Sequence, residues 1–345
     1  MVAKVFKSFQ ELPRAQRRVI ALGNFDGLHL GHQKILEKTL EKADELGAEP
    51  LVFSFDPHPR QFFTQSDEPR LLMTREEKII SLSRLGFENI LLQKFNEEFS
   101  KINVNDFMIE ILAKHLGAVA IVVGKDFHFG FRAEGSFQDL VECQRFEANV
   151  IHPVVSDQQK ISSSWIRRLI ETGDIEGASQ CLGYTFSLAG KVIQGQGLGA
   201  EKLQVPTVNI QLEKKILPKS GVYMGILEDL STEHFFPAVI NLGHRPTVGQ
   251  ENDLSLEAHL IHFKDNMYDR LVRLYFMNRI RDEKKFSNFD DLRKAILSDL
   301  RRVSSFFEAK ASSPDLFQGE PRNLQSNDIN LDLIEDFGIL RKICY

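Results

Sequence analysis

Cysteine is scarce: Cys143, Cys181 and Cys344 are the whole complement of a 345-residue chain. Three widely spaced thiols offer neither a disulfide framework nor a CxxC metal pair, which fits a reducing compartment. Long apolar runs are missing as well. AVAIVV at 118–123 is the purest of them and is far too short to span a bilayer. The opening segment, MVAKVFKSFQELPRAQRR, has no apolar core of signal-peptide length. The expectation is therefore a soluble, cytoplasmic protein with no membrane partner. Nor is positive charge in excess. Lys and Arg number 43 against 48 Asp and Glu, a formal net charge of −5. That balance argues against a nucleic-acid partner bound by neutralising many phosphates. It leaves open a small anionic ligand held by a few placed amides and cations. Tyr (5) and Trp (1) are few, whereas Phe reaches 27. The surplus reads mainly as core filling, with some rings free to stack on a planar ligand.

What is present reads as two domains, since roughly 100–200 residues per domain is usual. RVIALG at 18–23 is a short buried strand that runs into a Gly/Asn/Asp turn. Ile35, Leu36, Leu40 and Ala43 follow at helical spacing, and Gly47 stands where a helix would be capped. PLVFSF at 50–55 is closed by the breaker-rich DPHPR. NILLQKF at 89–95 precedes a helix-like stretch at 103–116, and AVAIVVG follows at 118–124. Short apolar strands alternating with amphipathic helices predict βαβ units and a parallel sheet. Such sheets bind ligands beyond the carboxyl ends of their strands, where GNFDGLHLGH, DPHPR and GKDFHFGFR fall. From about residue 184 to 285 the texture changes to short strand-like runs: FSLAGKVI, TVNIQL, VYMGIL, PAVINLG, LSLEAHLIHF and RLVRLYFMNRI. These predict an antiparallel barrel or sandwich, closed by the helical FDDLRKAILSDLRRVSSFFEA. Residues 311–345 begin with loop composition and end in DLIEDFGILRKICY, whose apolar residues at roughly helical spacing are expected to dock on something. A self-association or partner contact through this tail is one reading. Packing on its own chain is the other.

GNFDGLHLGHQ (23–33) sets His29 and His32 three apart at a strand–helix junction. Nucleotidyl transfer needs donors fixed around the α-phosphate of ATP while pyrophosphate leaves, and imidazoles, a helix N-terminus and Mg²⁺ supply them. Glycines at 23, 27 and 31 let the backbone approach the phosphates. The string resembles the GxFDxxHxGH motif of the nucleotidyltransferase superfamily, whose fold is Rossmann-like. KISSSWIRRLI (160–170) resembles that superfamily's ISSTxIR element, with Ser164 where Thr is usual. FSFDPHP (53–59) and VVGKDFHFGFRAEGSF (122–137) are similar to the bacterial bifunctional riboflavin kinase/FAD synthetase family in particular.

That resemblance implies an FMN adenylyltransferase domain at 1–185, a β-barrel riboflavin kinase domain at 186–310 and an extension at 311–345. It implies that ATP is held by Gly23, Asn24, Phe25, Asp26, Gly31, Ser163, Ser164 and Arg167, with His29 and His32 catalytic. Asp56, Pro57, Asp126, Phe127 and Phe129 would lie by the flavin, and Arg132 sits one position earlier than the arginine usual in this loop. In the second domain, VPTVN (205–209) is similar to the family's PTAN motif. Thr207 and Asn209 would then hold Mg²⁺ between ATP phosphates, with oxygen ligands that suit a hard cation. GKVIQGQGLG (190–199) is similar to the phosphate loop, bringing in Gly195 and Gly199. The family's Arg-x-x-Gly-Phe stretch is here AEKLQ followed by Val205, one residue longer, with Ala200 in place of the arginine and Lys202 as the nearby cation. Glu257 falls on the catalytic glutamate that takes the proton of the ribityl 5′-hydroxyl. The implied ligands are riboflavin, FMN, FAD and ATP. The alternative is an adenylyltransferase alone, its kinase module decayed to flavin binding or regulation.

Overall fold

The computed structural model describes residues 3–14, 16–156, 158–194, 207–212, 214–244, 254–261, 263, 265–284 and 286–311. Gly195, Gly199, Lys202 and the tail from residue 312 lie outside the described residues. The chain forms two compact units, which divide between Trp165 and Ile166, within the helix Ser163–Thr172.

The first unit is built on six strands: β1 (Lys4–Phe6), β2 (Arg18–Leu22), β3 (Glu49–Asp56), β4 (Asn89–Lys94), β5 (Ala118–Gly124) and β6 (Glu147–Ile151). They pair in the order β1-β4-β3-β2-β5-β6, parallel throughout. β2 is apolar from Val19 to Leu22 because it is covered on both faces, as central parallel strands are. Its first residue, Arg18, is also buried, where it pairs with Glu49 at 3.0 Å and donates to the Leu116 carbonyl at 2.9 Å. From β2 the chain first winds one way, through β3 to β4, and later places β5 on the other side. That reversal opens a crevice at the carboxyl ends of β2 and β5, the usual ligand position in such sheets.

Helix α1 (Leu30–Leu46) follows β2 and buries Ile35, Leu36, Thr39 and Ala43. It ends at Gly47, which takes the left-handed conformation (φ 54°) expected of a helix C-cap. Helix α2 (Arg75–Arg84) is started by a reciprocal capping box between Thr74 and Glu77. The stretch read as one helix near 103–116 is helical from Val104, but from Phe107 to His115 it is wound as a π-helix.

The second unit holds helix α3 (Ser163–Thr172) from Ile166 onward, helix α4 (Ile175–Leu182) and a closed barrel. Its strands are β7 (Ser187–Ile193), β8 (Val208–Ile210), β9 (Gly221–Asp229), β10 (His234–His244), β11 (Leu254–Leu260) and β12 (Leu271–Arg281). They pair antiparallel in the order β7-β8-β11-β10-β9-β12, and β12 closes back onto β7. All six apolar runs of the sequence become these strands, and closure removes exposed sheet edges. Helix α5 (Phe289–Ala311) lies against β10, and its Val303 and Phe307 join one core cluster with Val239 of β10 and Val222, Met224 and Ile226 of β9. β9 is buried along its whole length. Asp299 of α5 forks onto Arg281 of β12 at 2.7 and 3.0 Å.

Candidate functional site

The GNFDG turn leaves β2 through an unusual backbone. Phe25 (φ 48°), Gly27 (φ 80°) and Leu28 (φ 37°) are all left-handed, and only glycine adopts that region without strain. Phe25 and Leu28 are fully buried, so packing holds the strained turn in one shape. Ser54 Oγ donates to the Asn24 carbonyl at 3.0 Å, and Leu72 N–H donates to both oxygens of the buried Asp26 at 2.9 and 3.2 Å.

The turn delivers His29 to the N-cap of α1, where its Nδ1 accepts the His32 N–H at 3.3 Å. An accepting Nδ1 is unprotonated, so the neutral ring carries its proton on Nε2. The rings of His29 and His32 stack at 3.7 Å and 14°, and Phe25 meets His32 edge-on at 5.3 Å. Gly31 makes room for this. A Cβ there would stand 3.2 Å from His29 Cε1, so any side chain would press on the imidazole. His32 Nδ1 is buried and has no hydrogen-bond partner among the described residues.

Both imidazoles are held neutral. Burial is the main cause for His29, whose pKa falls to about 4; a backbone hydrogen bond opposes this and the charge of Lys160 adds to it. Burial, then His29, then Lys78 push His32 well below the usual value. The sign follows by linkage. A group whose pKa is lower folded than unfolded binds its proton more weakly in the native state. For His29 the stability is therefore complete above about pH 6.5 and is lost as pH falls from there through about 4. A melting curve at pH 4.5 is expected to show a clear loss against pH 7. His29→Asn, which keeps an N-cap acceptor but cannot titrate, should reduce that difference. An unchanged difference would mean that His29 is not the group responsible.

The Ser-rich element reaches the same turn. Ser163 Oγ donates to the Asp26 carbonyl at 2.9 Å, and Ser162 Oγ accepts the Trp165 N–H at 3.3 Å. Ser164 lies in the first turn of the same helix. Arg167, one turn further, is buried and belongs to the second unit. On the flavin side, Asp56 ends β3 before Pro57 and pairs with Arg75 at 3.0 Å. Asp126 bonds Lys160. Phe127 and Phe129 stack with each other at 5.9 Å, but Phe129 is core, whereas Phe127 is only partly buried. The sequence reading missed Lys78 and Lys160, the two cations that bear on the histidines.

In the barrel, register brings the other group together. Asn209 of β8 lies directly opposite Glu257 of β11, and Glu257 lies opposite Asn241 of β10. Cross-strand partners project from the same face with Cβ atoms about 4.5–5.5 Å apart. Their neighbours Val208, Ile210, Leu256, Ala258, Ile240 and Leu242 are all buried, so the polar row occupies the opposite face. Thr207 is two residues before Asn209. Asn241 was missed; its segment was noted, but only the pairing shows that it joins the row. Among the described residues no cluster of three His, Cys, Asp or Glu could cage a metal. The oxygen donors present suit a cation bound largely through substrate phosphates, as Mg²⁺ usually is.

Comparison with known proteins agrees with this division. FAD synthetase matches residues 12–165 and riboflavin kinase matches residues 182–307. The bifunctional riboflavin kinase/FMN adenylyltransferase of Pseudomonas fluorescens is 35% identical over 84% of this chain and 92% of its own length. Its Haemophilus influenzae counterpart is 34% identical, over 84% of this chain and 94% of its own. Among solved structures, a Streptococcus pneumoniae protein described as a macrolide-efflux protein matches with TM-score 0.78 and 25% identity, covering 88% of this chain and 99% of that one. Among the described residues here, no helix is long and apolar enough to cross a membrane. The chain belongs to the bifunctional riboflavin kinase/FMN adenylyltransferase family.

Proposed function

We propose that the two reactions of this enzyme, phosphorylation of riboflavin to FMN and adenylylation of FMN to FAD, are carried by the two residue groups just described. In the first unit, an oxygen of the FMN phosphate attacks the α-phosphorus of ATP, the bond to the β-phosphate oxygen breaks, and pyrophosphate leaves. Charge builds on the α-phosphate oxygens during that exchange. His29 Nε2–H and the start of α1 are the fixed donors for it, with Ser163 and Ser164 on the leaving phosphates and Gly23 and Gly31 giving access. The stacking of His29 on His32 at the N-terminus of α1 is the observation that supports this most. Asp56, Asp126 and Phe127 face the flavin, and Phe129 backs Phe127.

In the barrel, Glu257 takes the proton of the ribityl 5′-hydroxyl while the γ-phosphoryl group moves to its oxygen and ADP leaves. The pairing of Glu257 with Asn209 supports the assignment. Mg²⁺ would be held by Thr207 and Asn209 and would neutralise phosphate charge. Gly195, Gly199 and Lys202 complete the ATP contacts.

The test is incubation with riboflavin, ATP and Mg²⁺, followed by chromatography. FMN and then FAD are expected, and chelation with EDTA should stop both until Mg²⁺ is restored. FAD from supplied FMN, without FMN from riboflavin, would leave only the adenylyltransferase half.

A further inference from the structure

Lys78 lies on α2, in the charged run REEKII, yet it is buried. Its Nζ donates to the Asn24 carbonyl at 2.8 Å, 54 residues away in the chain and inside the GNFDG turn. A buried ammonium loses its hydration and needs compensation. Compensation comes from the carboxylates of Asp26 and Asp56, whose charges oppose the effect of burial. Asp26 is itself fixed by the Leu72 N–H, and Asp56 by Arg75. Lys78 is thus tied to the turn by a hydrogen bond and held there by the charges of Asp26 and Asp56. Ser54 bonds the same Asn24 carbonyl, so two donors from separate elements converge on one oxygen of the turn that carries His29.

We propose that Lys78 is a positioning residue for adenylyl transfer: it fixes the Asn24 carbonyl, and with it the turn that presents His29 and His32. This rests on the reading of the histidine pair given above. Lys78 has a second effect through charge. The groups facing the imidazoles are Lys78 from α2, Lys160 from the Gln159–Lys160 strand, and each imidazole itself, with Asp26 and Asp56 beside Lys78. The two lysines disfavour imidazolium. A protonated His29 Nδ1 could no longer accept the His32 N–H, so a neutral pair is needed to keep the helix start in place.

The test uses Lys78→Met and Lys78→Arg in the full chain. Lys78→Met should lower kcat for FAD formation on the order of 10–10²-fold, as small misplacements of catalytic groups do. It should also move the acid limb of kcat/KM to higher pH, because the histidines lose a repelling charge. Lys78→Arg keeps the charge and should keep the wild-type limb. Riboflavin phosphorylation in the same samples should be unchanged. A folded Lys78→Met with a wild-type rate and acid limb would overturn the inference. A purely structural lysine would lower melting temperature without moving the limb, which also overturns it. Should Lys78→Met not fold, Lys78→Gln is read in its place by the same rate and acid-limb criteria. His29→Asn separates the two layers. If it too leaves FAD formation intact, the histidine reading fails; if it abolishes FAD formation while Lys78→Met is normal, only the Lys78 inference fails.

Discussion

In His29→Asn, FAD formation from supplied FMN falls by about 10²–10³-fold while riboflavin phosphorylation stays near the wild-type rate. The magnitude is that of losing one preorganised donor at the place where charge develops. Asparagine is chosen because its side-chain oxygen can still accept the His32 N–H that His29 Nδ1 accepts now. The helix start survives, and only the Nε2–H donor is lost. The kinase residues Asn209 and Glu257 stand in a barrel with its own core, so they serve as an internal control. Quantifying FMN and FAD by chromatography in one assay reads both activities. Equal loss of the two in a folded variant would sink the assignment of separate sites.

Glu257→Gln gives the converse pattern. Removing a general base costs about 10²–10⁴-fold, so FMN production nearly stops while FAD synthesis from supplied FMN continues. Glutamine preserves the size and hydrogen-bonding reach of the side chain on β11, which protects its pairing with Asn209 and Asn241. Normal phosphorylation by this variant would remove Glu257 from the role of base.

Much of this was legible in the sequence, because the relevant signals are local. A strand, a Gly/Asn/Asp turn and a helix-spaced run place His29 and His32 at a helix N-terminus without any knowledge of the rest. Six strand-like runs with breakers between them predict an antiparallel barrel or sandwich, and the pairing of β12 with β7 closes it as a barrel. What stayed hidden depends on long-range pairing. REEKII looks like a solvated helix, and nothing near Lys78 reveals that its ammonium bonds a carbonyl in the first βα turn. Asn241 is one polar residue in an apolar strand until register sets it beside Glu257. The resemblance pairs Phe129 with Phe127, yet Phe129 is buried in the core, whereas Phe127, in the turn whose N–H bonds the Gly124 carbonyl, is only partly buried. The first strand, Lys4–Phe6, is too short to announce itself; it exists because the edge of β4 accepts it.

The row Asn209–Glu257–Asn241 also bears on which insertions and deletions this chain can carry. Pairing alternates sides with a period of two, so one residue gained or lost within β8 would turn Asn209 inward and bring Val208 or Ile210 to face Glu257. The stretch 200–205 falls outside β8 in sequence, between Ile193 and Val208. A change of length within β8 is thus the one that breaks the row, because it alone shifts the register that sets Asn209 beside Glu257.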